Sequence, residues 1–362
     1  MKLDQLVNPD DLQAAINDKL ISIRVSPDGH DRILNYTDAA MYTPGAWGNP
    51  AVRTCRGLIV DSEDEVIARP WAKFFNHGQA EAGELDMDAP VEVTNKLDGS
   101  LGIIHVDANA NLRVATRGSF ESEQAIHATQ WLRKHGGINR FPLHYITALV
   151  EIIYPANRIV CDYGDRDELV LLGAVDIESG CYFGPKEAAR ILGWQHSTTE
   201  TFAYATLREA LASPPRPGAE GLVVRYLDRP HMVKIKQDDY VVLHRIVTGL
   251  SERTVWQHMM DGKPLSELLE GLPDELHPWV HEVHDVLTRQ TEHRKANAEF
   301  YFDKLAPLLG DRPAFAEQAK KVPEYTPYLF QLLDGRDITI PILKTLKPRG
   351  DRRAKHTSEA TA

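Results

Sequence analysis

Between about residues 20 and 245 the chain is a succession of short runs with β-type patterning, and beyond about residue 245 its apolar residues recur at helical spacing. Such a change of period separates elements that must bury a sheet face from elements that must bury a stripe. The β-type runs are ISIRV, CRGLIVDSEDEVIARP, VEVTNKLDGSLGIIHVDANANLRVATRG, LVEIIY, ELVLLGAVDI, EGLVVRYL and HMVKIKQ. Separated by turns, they read as a predominantly antiparallel sheet domain. Helical patches interrupt at EQAIHATQWLRKHG and KEAARILGW, and SPPRPGAEG is a loop by its Pro and Gly content. After residue 245 the segments TVWQHMMDG, LSELLEGL, AFAEQAKKV, YLFQLLDG and ITIPILKTL are helical in period. A long segment from near Glu275 carries Val280, Val283 and Leu287 on one face. The expected fold class is α+β: an antiparallel-sheet domain at residues 1–248, an all-helical C-terminal domain at 249–346, and a basic tail at 347–362. A length of 362 residues, divided by the roughly 150 residues of a common domain, agrees with an expectation of two.

Several function classes drop out on composition. No stretch approaches the roughly 18 consecutive apolar residues of a bilayer span, and the N-terminus MKLDQLVNPDDLQAAIN has no apolar core for a signal peptide. Membrane partners are therefore not expected. Cys55, Cys161 and Cys181 are too scattered for a disulfide framework or a zinc site, which fits a reducing, cytoplasmic setting. A net charge of −11 argues against coating nucleic acid non-specifically, while leaving room for a local basic groove. The last sixteen residues hold five Lys/Arg without apolar periodicity and read as a disordered tail. His277, His281 and His284 have ligand-like spacing but no Cys partners, and read as a hydrated or partly buried helix face.

The residues with most chemical content are Lys96-Leu97-Asp98-Gly99-Ser100, between two β-type runs. A lysine amine there can attack phosphorus and carry a covalent phosphoramidate. With a reference pKa of about 10.4 it would need neighbouring positive charge to become neutral near pH 7. Lys234-Ile235-Lys236 has the period-two spacing that puts two amines on one face of a strand, where an anion between them would relieve repulsion. Arg56-Gly57 and Lys73-Phe74-Phe75-Asn76 add cations, the latter beside an aromatic able to pack on a base. Read singly, each of these also suits a surface turn, a solvent-facing edge strand or a core aromatic.

Read together, the series Lys96-Leu-Asp-Gly-Ser, Glu151, Glu220-Gly221 and Lys234-Ile-Lys236 resembles the covalent nucleotidyltransferase superfamily of DNA ligases, RNA ligases and mRNA capping enzymes. Further elements narrow the resemblance: Arg32 to Tyr36, Cys55-Arg56-Gly57, Arg69 to Asn76, Arg117 to Ala125, Asn157 to Val160, and Tyr240 to His244. These are similar to the ATP-dependent single-strand RNA ligases of T-even bacteriophage type, across roughly residues 30 to 250. The resemblance implies an adenylyltransferase domain at 1–248 and an RNA-specificity module at 249–346. It also implies that Lys96 takes AMP from ATP and passes it to an RNA 5′-phosphate, which a 3′-hydroxyl then attacks, a step of RNA repair for which tRNA is one candidate substrate.

The same resemblance implies the remaining roles. Tyr36, Arg56, Lys73, Phe75, Arg117, Glu151, Lys234 and Lys236 would hold ATP or AMP, with Tyr36 and Phe75 along the adenosine. Glu220, with Glu151, would hold Mg²⁺ or Mn²⁺, and Asp98, Gly99, Gly221 and Tyr240 are further site residues. The phage enzyme has Lys where this chain has Arg117, which preserves charge but replaces a point cation by a planar fork. Capping-type transfer, an enzyme that stops after adenylylating an RNA end, and a catalytically inactive RNA-binding relative stand as alternatives. A DNA ligase would carry an oligonucleotide-binding β-barrel where this sequence turns helical, and the GxxxxGK[ST] loop of a fused kinase is absent from the sequence.

Overall fold

The structure, a computed structural model, describes residues 1–237, 240–241, 249–269, 272 and 276–349. The chain divides into two compact units, the first spanning Met1–Val241 and the second Val242–Glu359. In the first unit the strands are β1 Ile21–Val25, β2 Asp31–Tyr36, β3 Arg56–Asp61, β4 Val66–Ala68, β5 Phe75–Asn76, β6 Val91–Lys96, β7 Ser100–Val106, β8 Leu112–Thr116, β9 Ile146–Ile153, β10 Glu168–Asp176, β11 Tyr182–Phe183, β12 Thr201–Phe202, β13 Gly221–Tyr226 and β14 Met232–Lys236. They form three sheets in the orders β1-β2-β3-β4, β11-β10-β9-β7-β8 and β12-β6-β13-β14-β5. All pairings are antiparallel except β14 with β5.

Period-two alternation decides which residues meet. On β2, Ile33 enters a core layer with Ile59, Ile103 and Leu149, while its neighbour Leu34 enters another with Leu58, Val93 and Val224. The β7–β10 sheet is covered on its other face by the helices Glu123–His135 and Pro185–Leu192, through Ala128, Leu132, Ala188 and Leu192 against Ile104, Val150 and Leu171. Burial on both faces is why ELVLLGAVD is almost continuously apolar. In the third sheet Val91, Val93, Leu222, Val224 and Val233 all belong to one core layer. The alternate residues, Thr94 and Lys96 on β6, Val223 on β13, and Lys234 and Lys236 on β14, consequently share the opposite face.

Two β-type expectations need extension. The pairing partner of ISIRV is β2, and β5, β11 and β12 are two-residue strands, too short to show a period. Pro9–Asn17 is a helix capped by the Asn8 side chain, which accepts from the N–H groups of Asp10 and Asp11. In the second unit the described residues form the helices Glu252–Met260, Leu265–Leu269, His277–Lys304, Arg312–Ala319, Thr326–Leu333 and Thr339–Thr345. Val280, Val283 and Leu287 are buried on the long helix, and Ala298, Tyr328, Ile338 and Ile342 form a small core. Of the expected basic tail, residues 350–362 lie outside the described residues. No helix among the described residues is long and apolar enough to cross a membrane.

Candidate active site

Lys96 ends β6 and pairs in register with Gly221, which also pairs with Lys236 on β14. Glu220, one residue before Gly221, therefore stands between two lysines. Its Oε2 lies 2.6 Å from Lys96 Nζ and its Oε1 lies 3.1 Å from Lys236 Nζ. The carboxylate is buried while both amines keep partial access. Gly221 has φ +152°, and a Cβ on it would come within 2.0 Å of the Ile235 carbonyl oxygen.

The turn after Lys96 is held by a carboxylate with three donors. Asp98 Oδ2 accepts from the N–H groups of Val160 and Cys161, each at 2.8 Å, and Oδ1 accepts from the Tyr240 hydroxyl at 2.7 Å. The Asp98 N–H donates to the Tyr163 hydroxyl at 2.8 Å. Ser100 donates to Asn157 Oδ1 at 3.1 Å, and Asn157 Nδ2 donates to the Ile152 carbonyl at 2.8 Å. The Asn157-to-Val160 element is thus a brace for the lysine turn. Tyr240 is buried in the same brace, with Lys236 Nζ 5.0 Å from its ring centre. Residues 242–244 of the Tyr240-to-His244 element lie outside the described residues.

Gly99 donates its N–H to Glu151 Oε1 at 3.0 Å, and a Cβ there would meet the Ile152 carbonyl at 2.6 Å. Burial pushes the Glu151 carboxyl from 4.5 up to about 7, outweighing the pull of Lys96, with Glu220 and Asp98 adding to the rise. Burial likewise brings the Lys234 amine from 10.5 down to about 7, with Lys73, Lys96, Arg56 and Lys236 acting in the same direction.

A carboxyl that holds its proton more tightly folded than unfolded stabilises the fold fully below about pH 4.5, and that contribution is lost as pH rises through about 7. Glu151→Gln keeps an acceptor for Gly99 but has no proton to lose. It should nearly match the wild type in thermal unfolding at about pH 5 and melt a few degrees higher at about pH 8. An identical difference at both pH values would refute this.

Lys96, Gly99, Glu151 and Arg56 line a cavity of about 210 Å³ whose apolar walls include Leu101 and Leu172 from one sheet and Val223 and Met232 from another. Phe74 also lines it, with the Arg56 guanidinium and Lys234 Nζ each 5.5 Å from the ring centre. Beside it sits a second cationic group. Lys73 Nζ approaches the ring centres of Tyr36 and Trp47 at 5.2 Å and Phe75 at 5.5 Å, and donates to the Tyr36 hydroxyl at 3.4 Å. The Arg117 guanidinium donates to the same hydroxyl. Burial pushes the Tyr36 phenol up, but Arg117, Arg56 and Lys73 together leave it below its ordinary value.

Tyr36 and Phe75 do not line the larger cavity. Phe75 pairs with Val233, on the face of β14 that enters the core, packs edge-on against Trp47, and lines a neighbouring cavity of about 60 Å³ with Lys73 and Phe74. Phe74, with Trp71 and Phe183, supplies the aromatic rings at the 210 Å³ cavity. Glu92, Thr94 and Arg225 also line it and were not expected, although Glu92 and Thr94 lie four and two residues before Lys96 on the same strand face. Arg225 Nη2 lies 3.0 Å from Glu92 Oε2. Among the described residues no group of three or more His, Cys, Asp or Glu has an arrangement able to hold a metal ion, His277, His281 and His284 included.

A family profile described as RNA ligase matches residues 54–240. This is just over half of the chain, and the chain belongs to that family. Among solved structures it is similar to a Naegleria gruberi RNA ligase with PPi, at 21% identity and TM-score 0.36 over 44% of this chain and 52% of that one. It is similar also to a mutant of the Naegleria gruberi ligase with ATP and Mn, at 20% identity and TM-score 0.35 over 43% and 52%. An archaeal ATP-dependent RNA ligase matches at 14% identity and TM-score 0.43 over 70% and 66%. The chain spans about half the length of the Naegleria gruberi ligases it matches. No curated protein matches it.

Proposed function

We propose that the chain is an ATP-dependent RNA ligase whose first unit is an adenylyltransferase domain and whose helical unit selects the RNA. The observation that carries this reading is Lys96, at the lip of a cavity walled by apolar side chains of two sheets, sharing the buried Glu220 with Lys236. A flat base fits between Leu101, Leu172, Val223 and Met232, which leaves the triphosphate among Lys96, Lys234, Lys236 and Arg56. The second cationic group, Lys73, Arg117 and Tyr36, extends the phosphate path.

Lys96 Nζ attacks the α-phosphorus of ATP, its bond to the bridging oxygen breaks, and pyrophosphate leaves. Attack needs the amine's lone pair, and Glu220, 2.6 Å away, is the nearest acceptor for the displaced proton. An oxygen of an RNA 5′-phosphate then attacks the same phosphorus and breaks its bond to Nζ. Finally a 3′-hydroxyl attacks the phosphorus of the adenylylated end and expels AMP. In each transfer positioning and charge stabilisation do most of the work. Glu220 and Glu151 would hold Mg²⁺ or Mn²⁺. A donor set of two carboxylates suits a cation that takes its other oxygens from phosphates and water. When bound, that cation supplies charge to the polyphosphate. A cytoplasmic setting and a repair role go with this reading.

Incubation with ATP labelled in its α-phosphate should leave label on the protein that withstands denaturation and alkali but is released by warm acid, as a P–N bond requires, and added RNA with 5′-phosphate and 3′-hydroxyl ends should be joined. Label from GTP in preference to ATP would favour a capping-type enzyme, and no label from either would exclude both.

A further inference from the structure

The loop at 213–219, which its Pro and Gly content marks as a connector, carries an arginine whose contacts converge beside the reacting residues. Arg216 Nη1 donates to Asn95 Oδ1 at 3.1 Å and to the Gly221 carbonyl at 3.2 Å. Its N–H donates to Gln237 Oε1 at 2.9 Å, and the Gln237 N–H donates to the Glu220 carbonyl at 3.0 Å. Its guanidinium lies over the Phe202 ring, 4.4 Å from the centre, and Nη2 is 3.8 Å from Glu200 Oε2. Asn95 precedes Lys96, Gly221 follows Glu220, and Gln237 follows Lys236. One side chain and its own backbone thereby tie the ends of β6, β13 and β14 at the level of all three charged residues. Arg216 itself is not part of the wall of the 210 Å³ cavity.

We propose that Arg216 is a positioning residue for AMP transfer, fixing the approach of Lys96 to Glu220 and Lys236 by bridging three strand ends from outside the nucleotide cavity. The inference rests on Lys96 being the nucleophile. The two N–H groups of Nη1 hold Asn95 and Gly221 while the flat guanidinium lies on Phe202, so lysine is no substitute: its ammonium can reach an oxygen but has no planar face to lie on the ring and fix the direction of both bonds. Small displacement of a reacting group costs rate far more than it costs binding.

The test is single-turnover transfer of labelled AMP to the full-length chain over a range of ATP concentrations, for the wild type, Arg216→Lys and Arg216→Met, with thermal unfolding alongside. The rate constant at saturating ATP is expected to fall by about 30- to 100-fold in both variants. The ATP concentration for half-maximal rate should change by less than about twofold, and the melting temperature by no more than a few degrees. Phe202→Leu, which removes the stacking face and leaves every hydrogen bond, should fall between them and the wild type. An unchanged rate constant would overturn the inference, as would a higher half-maximal ATP concentration at unchanged rate constant, or a loss no larger than the unfolded fraction. A wild-type chain that takes no AMP would instead overturn the reading of Lys96, and this inference with it.

Discussion

Lys96→Ala is expected to reduce transfer of AMP from ATP to the protein by at least about 10⁴-fold, below detection in a labelled-ATP assay. In the proposed reaction the amine is the bond-forming atom, so no neighbouring group can act in part for it. Lys234 sits over Phe74 rather than at Glu220, and Lys236 meets the opposite carboxylate oxygen. The variant should nevertheless fold. Lys96 keeps about a fifth of its side chain exposed, and Glu220 retains its contact with Lys236 when the lysine is cut back. Thermal unfolding within a few degrees of the wild type, together with absent label, is the expected pair of results. Full labelling of the variant would refute Lys96 as the nucleophile.

Gly221→Ala should be the most damaging substitution of a residue that has no chemistry of its own. The new Cβ would lie 2.0 Å from the Ile235 carbonyl oxygen and 2.9 Å from the Lys236 Cα, and both are backbone atoms that no side-chain rotation can move. At φ +152° the backbone is also one that residues with a Cβ rarely adopt. Relief requires β13 and β14 to separate at the end that carries Lys236, on the strand whose other edge pairs with Lys96. A loss of about 3 kcal/mol in chemical denaturation is expected, with AMP transfer falling well beyond what the unfolded fraction explains. A variant as stable and as active as the wild type would contradict the register described for this strand.

How much of this was legible beforehand depends on the range of the interactions. That Lys234 and Lys236 share a face follows from period-two alternation along one strand, which a sequence displays directly, whereas bringing Lys96 beside them depends on β13 pairing with both β6 and β14. The alternation within Lys73-Phe74-Phe75-Asn76 is equally visible, but which phenylalanine faces the 210 Å³ cavity depends on the parallel pairing of Phe75 with Val233, far along the chain. Asp98 shows a similar limit. Its donors are the backbone of Val160 and Cys161 and the hydroxyl of Tyr240, and nothing in Lys-Leu-Asp-Gly-Ser announces them. β5, β11 and β12 are too short for any period. Asn8 followed by Pro9 is a sound helix-start signal, though one that the β-rich segments after it overshadow. Arg216 was hidden for another reason: a loop rich in proline and glycine reads as slack, and only the fold shows what its arginine grips.

The knot around Asp98 has a mechanical corollary. With the turn after Lys96 laced to residues 157–163 and to Tyr240, the freedom left to the Lys96 amine is that of its own four-carbon arm. On the proposed function, an adenylate carried on so short a leash could not search for its acceptor. On the same reading both strand termini of a broken RNA would have to be delivered to one stationary point, and discrimination among RNAs would belong to whatever surface does the delivering.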